Sequence, residues 1–94
     1  MESLKRKPKQ ITASFELDYE TKIDYVGSSV GNLKNISNDK TLSDFDKGIY
    51  FTAAKIHVNG QAIVADDIYN CFSDVEVMKI FNFIAEVEGT EKNV

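Results

Sequence analysis

The sequence predicts an α+β domain on three observations: a strict period-two alternation from Ile11 to Tyr25, an Asn59-Gly60 pair between two apolar-alternating runs, and a capped amphipathic helix after Ser73. In the first, the odd positions read Ile, Ala, Phe, Leu, Tyr, Thr, Ile, Tyr and the even ones Thr, Ser, Glu, Asp, Glu, Lys, Asp. Successive side chains of a strand point to opposite faces, so this stretch buries one face and wets the other. As one straight strand it would extend about 50 Å, several times the usual length. A two-residue turn would pair odd with even positions and scatter the apolar set over both faces. The expectation is therefore one long bent strand or a strand pair joined by a bulge, with a three-residue hairpin at Asp18 to Glu20 as the alternative.

Gly27, Ser28, Ser29 and Gly31 break the alternation, and residues 32–47 are polar, anchored only by Leu33, Ile36, Leu42 and Phe45. They read as loop with at most one helical turn. Asn59-Gly60 then signals a tight hairpin, because a type I′ turn needs positive φ at both central positions. Its strands are expected at Ile49 to Val58 and Gln61 to Ala65, with Val58 opposite Gln61, Ile56 opposite Ile63 and Ala54 opposite Ala65. Leu42, Phe45, Ile49, Ala53 and Ile56 also fall at helical spacing, so a helix over 42–56 competes; Gly48 and the Ile49-Tyr50-Phe51-Thr52 cluster favour strand.

The last element is a helix near Asp74 to Glu88. Ser73-Asp74-Val75-Glu76 is a capping box and Gly89 a natural stop. Val77, Ile80, Phe81, Ile84 and Val87 form its buried stripe, Glu76, Lys79, Asn82 and Glu86 its wet face, and Phe83 falls between them. The organisation is a basic tail over 1–10, a single domain over 11–89 and a polar tail over 90–94. The expected core is Phe15, Leu17, Ile23, Ile56, Ile63, Val77, Ile80, Phe81 and Ile84.

Ninety-four residues with 43 % hydrophobic and 28 % charged side chains suit one ordinary globular domain and leave no room for a second. The net charge of −4 is unevenly spread. Residues 1–10 hold four basic side chains (Lys5, Arg6, Lys7, Lys9) and one acidic; residues 11–94 hold seven basic and fourteen acidic. An acidic domain repels phosphate backbones, so only those four cations are candidate nucleic-acid contacts, and nucleic acid is disfavoured as the main partner. A lone Cys71 excludes an intrachain disulfide and fits a reducing compartment, the cytoplasm by default. No apolar run approaches a membrane span. Ten lysines to one arginine, with seven asparagines and nine isoleucines, is the codon signature of an A/T-rich genome and points to a low-GC bacterium or its phages.

The chemistry-bearing residues form no catalytic set. His57 is the only histidine, with no ligand at metal spacing, and it leaves neither Cys71 nor Ser73 a natural base. Cys71 is expected to be a small buried residue. Asp66-Asp67 reads as a cap or turn, since adjacent side chains diverge. Gly27 and Gly31 match no phosphate loop. No cofactor is called for, and binding is favoured over catalysis. The expected partner surface is the edge of the first strand, at Glu16 and Asp18, together with Phe83 on the helix margin; self-association through it is one outcome.

The stretch Lys55-Ile56-His57-Val58-Asn59-Gly60-Gln61, then Asp66-Asp67-Ile68, then Ser73-Asp74-Val75-Glu76 leading into Ile80 and Ile84, resembles the C-terminal half of small tail assembly chaperones of tailed phages. The resemblance covers about 40 residues and carries no functional residue across. It implies a non-enzymatic phage or prophage protein in the bacterial host cell, working by protein contacts as an assembly factor or as a regulator of a host protein. A small nucleic-acid-binding protein using the basic tail is the alternative.

Overall fold

The computed structural model describes residues 13–92, in which eight elements follow one another. They are β1 (Ala13–Asp18), β2 (Thr21–Tyr25), α1 (Val30–Ser37), α2 (Asp44–Lys55), β3 (Ile56–Val58), β4 (Gln61–Ala62), α3 (Ala65–Cys71) and α4 (Asp74–Lys92). The fold is α+β: the four strands make one antiparallel sheet in sequential order β1-β2-β3-β4, and the chain closes with a helix. The basic segment over 1–10 lies outside the described residues.

The alternating segment is a strand pair. Ala13 faces Tyr25, Phe15 faces Ile23 and Glu16 faces Lys22, after which the register shifts so that Asp18 meets Thr21. A two-residue connection, Tyr19-Glu20, does close this hairpin, and the extra residue, Leu17, restores the parity that keeps the apolar set on one face. Asp18 Oδ1 accepts the Glu20 N–H at 2.8 Å, which lets the turn close without glycine.

The strand expected from Ile49 is instead helix as far as Lys55, and the loop expected over 32–47 holds most of α1 and the start of α2. The signals were local caps. Ser29 Oγ accepts the Asn32 N–H and Ser43 Oγ accepts the Asp46 N–H, each at 3.1 Å, and Asp44 and Asp46 sit on the positive end of the α2 dipole. The β-branched cluster is absorbed because Ile49, Thr52 and Ala53 all lie on the buried stripe, and the Thr52 hydroxyl donates to the Gly48 carbonyl at 2.8 Å. Ala54 and Ala65, expected to pair across a hairpin, belong to α2 and α3. Only Val58↔Gln61 and His57↔Ala62 pair around Asn59-Gly60, where φ is 50° and 80°.

Helix α4 runs through Gly89 to Lys92 rather than stopping, so residues 90–92 are helix and not tail. Ser73 Oγ accepts the Glu76 N–H at 3.2 Å and Glu76 Oε1 accepts the Ser73 N–H at 2.9 Å, the reciprocal pair of a capping box. This helix serves two clusters. Ile80 and Ile84 close on Ile23, Tyr25 and Ile56 of the sheet, with Phe83 and Val87 alongside. Val77 and Phe81 pack on Ile49, Ala53, Ala65 and Ile68 of α2 and α3. Of the expected core, Ile23, Ile56, Ile80 and Ile84 are buried; Phe15, Leu17, Ile63, Val77 and Phe81 are half-buried at its margins. Tyr25, Ile49, Ala53, Ala65 and Ile68 complete it. Cys71 is exposed, a correction: the buried face of α3 follows Ala65, Ile68 and Phe72, so the intervening cysteine turns outward.

Asn59 ties the two hairpins together. Its own N–H donates to the Lys22 carbonyl at 2.9 Å, its Oδ1 accepts the Lys22 N–H at 2.8 Å and its Nδ2 donates to the Glu20 carbonyl at 3.1 Å. Replacing Asn59 with Ala removes both side-chain bonds and puts at positive φ a residue that tolerates it less well than asparagine, so a loss of about 1–2 kcal/mol is expected in urea melts, with Asn59→Gly losing less. Ile80→Ala empties a fully buried site between sheet and helix and is expected to lose about 2–5 kcal/mol in the same assay.

Candidate partner-binding surface

β1 forms one edge of the sheet and the two-residue β4 the other, so the long edge belongs to β1. Among the described residues no strand pairs with its outer side. Glu16 and Asp18 are exposed on it, where their charges guard backbone groups that would otherwise template pairing. Phe83 is placed differently from a free anchor: its ring lies 4.6 Å from that of Phe15, tilted by 39°, and is half-buried against the sheet. Such a ring pair contributes about 0.5–1.5 kcal/mol beyond its buried area and fixes the edge strand to α4. The sequence thus marked a residue that supports the edge from behind. Lys5, Arg6, Lys7 and Lys9 lie outside the described residues.

The uncovered face of the sheet brings Ser14, Asp24 and His57 into one cross-strand row, a set far apart in sequence. The order is wrong for nucleophilic catalysis. Ser14 Oγ donates to Asp24 Oδ1 at 2.6 Å, and Asp24, also 3.8 Å from Lys22 Nζ, stands between the hydroxyl and the imidazole; a triad needs the imidazole in the middle. Among the described residues no group of three or more His, Cys, Asp or Glu is placed to hold a metal ion. Asp66 and Asp67 diverge on α3, where Asp67 Oδ2 accepts the Val64 N–H at 2.9 Å and caps the helix.

Two shallow clefts of about 260 and 380 Å³ flank Phe51 and Lys55, one between α2 and α4 and one between α1 and α2. They are mainly apolar, and the Lys55 ammonium that overlooks both is committed to Glu88 Oε2 at 2.9 Å. The same oxygen accepts the Tyr25 hydroxyl at 2.8 Å. Burial, then the bond to Glu88 and its charge, push Tyr25 from its ordinary 10.0 up to about 12. It is a neutral donor under all physiological conditions, and the network is a structural clamp rather than an acid–base pair. No family model, no curated protein and no solved structure matches this chain. No function is carried over from relatives, and the surface chemistry stands by itself.

The phenol sets a pH dependence. Unfolded, Tyr25 ionises near 10; folded, near 12, so its contribution to stability is complete below pH 10 and is lost as pH rises towards 12. Chemical melts between pH 9 and 12 are expected to show wild type losing stability more steeply than Tyr25→Phe, which has no proton to lose there.

Proposed function

We propose that this chain is a non-enzymatic binding protein of phage or prophage origin that works by protein contacts, as an assembly factor or a regulator of a host protein. The observation that carries the reading is the β1 edge: six residues, placed at the rim of the sheet, propped from behind by Phe15 on Phe83 and rimmed by acid. A partner that adds a strand there gains main-chain hydrogen bonds, and its alternate side chains meet Glu16 and Asp18. Basic residues at those positions suit it. A second copy is a poor occupant, because an antiparallel pairing centred on Glu16 sets one carboxylate directly against another. The phage assignment draws on the A/T-rich composition and on the resemblance over Lys55 to Ile84, which in the fold is the end of α2, the β3–β4 turn, α3 and most of α4.

The alternative, nucleic-acid binding through Lys5, Arg6, Lys7 and Lys9, is opposed by the fourteen carboxylates against seven cations in the rest of the chain. The test is a charge reversal that leaves the apolar face intact. The double variant Glu16→Lys/Asp18→Lys is expected to melt within about 0.5 kcal/mol of wild type, since both sites are exposed. It should lose the protein that wild type captures from a low-GC bacterial lysate. Equal capture by wild type and variant would exclude the edge. Capture of nucleic acid alone, with a steep salt dependence, would replace this reading by the alternative.

A further inference from the structure

The β1 edge leaves unexplained the seam between α1 and α2. Val30, Leu33, Lys34 and Ser37 fall at i, i+3, i+4 and i+7, one face of α1, and Phe51 and Lys55 at i and i+4 on α2. These two faces line the α1–α2 cleft of about 380 Å³, a volume within the range of about 300–1,000 Å³ that small-molecule sites occupy. The helices meet along this seam without closing it. No residue of α1 is buried, Val30 is 82 % exposed, and Leu33 and Phe51 are half-buried. The core-facing side of α2, by contrast, is sealed by Ile49, Thr52 and Ala53.

The charge of the seam is opposite to that of the body around it. Residues 11–94 hold fourteen acidic side chains against seven basic ones, yet the cleft is lined by two lysines and no carboxylate. Lys55 is held by Glu88, which lines the neighbouring cleft. Lys34 is exposed and, among the described residues, has no ion-pair partner, so its ammonium is available to an incoming anion. Val30, Leu33 and the Phe51 ring supply apolar surface beside it. An alkyl chain laid there removes that surface from water, and a carboxylate at its end accepts a charge-assisted hydrogen bond from Lys34. A bilayer suits the site poorly, because a chain of net charge −4 with two lysines at this cleft lacks the polybasic cluster that anionic lipid surfaces attract.

We propose that the α1–α2 seam binds a medium-chain fatty acid, its carboxylate on Lys34 and its alkyl chain over Val30, Leu33 and Phe51. The site is independent of the β1 edge, and its failure leaves the proposed function untouched. The probe is decanoate, added to the isotope-enriched wild-type protein below its micelle threshold. Amide shifts are expected to saturate and to centre on Leu33, Lys34 and Phe51, and the α1 amides to exchange with solvent more slowly once decanoate is bound. Lys34→Ala changes an exposed position to the best helix former and is expected to weaken decanoate binding about fivefold, the upper end for one exposed ion pair. Decanol, which has the same chain without the charge, should bind wild type and variant alike, and decyltrimethylammonium should give no saturable shift at these residues. Decanoate shifts that fail to saturate there would overturn the proposal, as would equal binding of decyltrimethylammonium or an unchanged decanoate affinity in Lys34→Ala. So would sedimentation with phosphatidylglycerol vesicles that Lys34→Ala abolishes, since the ligand would then be a bilayer. The comparison of decanoate with decyltrimethylammonium uses the wild-type protein alone and decides the matter even where the variant folds poorly.

Discussion

The fold turns on one peptide junction, Lys55-Ile56, where a helix becomes a strand with no loop between them. Helix α2 ends at Lys55, and Ile56 is already extended, at φ −128° and ψ 156°. The Lys55 carbonyl, released from the helical ladder, accepts the N–H groups of Val26 and Gly27 at 2.8 and 3.0 Å, which binds the end of α2 to the exit of β2. The Lys55 ammonium and the Tyr25 hydroxyl meet on one Glu88 oxygen, which binds both to α4. Ile56, next in the chain, is 1 % exposed between Tyr25 and the α4 isoleucines. Four elements therefore converge on two consecutive residues. Gly27 belongs to the same constraint, since its φ of +72° turns the chain away just after its N–H has been used.

Much of this was legible where a single period ran undisturbed. The alternation from Ile11 to Tyr25 named the buried face of β1 and β2, and the Ser73 to Glu76 box named the start of α4. The segment from Leu42 to Ile56 was ambiguous for a physical reason: its apolar residues satisfy a helical spacing, while its β-branched and aromatic residues suit a strand. Intrinsic preference is weak beside burial, and the Ser43 cap with two first-turn aspartates tips the balance to helix. The overrun of α4 past Gly89 is of the same kind, a glycine being permissive rather than obligatory as a stop. The bulge at Leu17 could be asked for by parity but not located, because either a bulge or a longer turn restores the register.

The candidate surface was legible in part. Glu16 and Asp18 follow from the alternation itself, whereas the position of β1 at the sheet edge depends on β3 joining β2 on its other side. Phe83, between the two faces of its helix in projection, is drawn in by Phe15. The bond from the Tyr69 hydroxyl of α3 to Asp46 of α2 was illegible, since α2 had first to be recognised as a helix. Among the described residues every buried side-chain nitrogen and oxygen has a partner.

The junction is tested most directly by native-state hydrogen exchange at the amides of Val26 and Gly27. Both lie beyond the end of β2, in a stretch without regular structure, where their N–H groups donate to the Lys55 carbonyl. If Lys55-Ile56 holds the fold together, both amides exchange as slowly as those of Ile23 and Tyr25, through global unfolding. Exchange at the rate of an open loop, with β2 still protected, would contradict it.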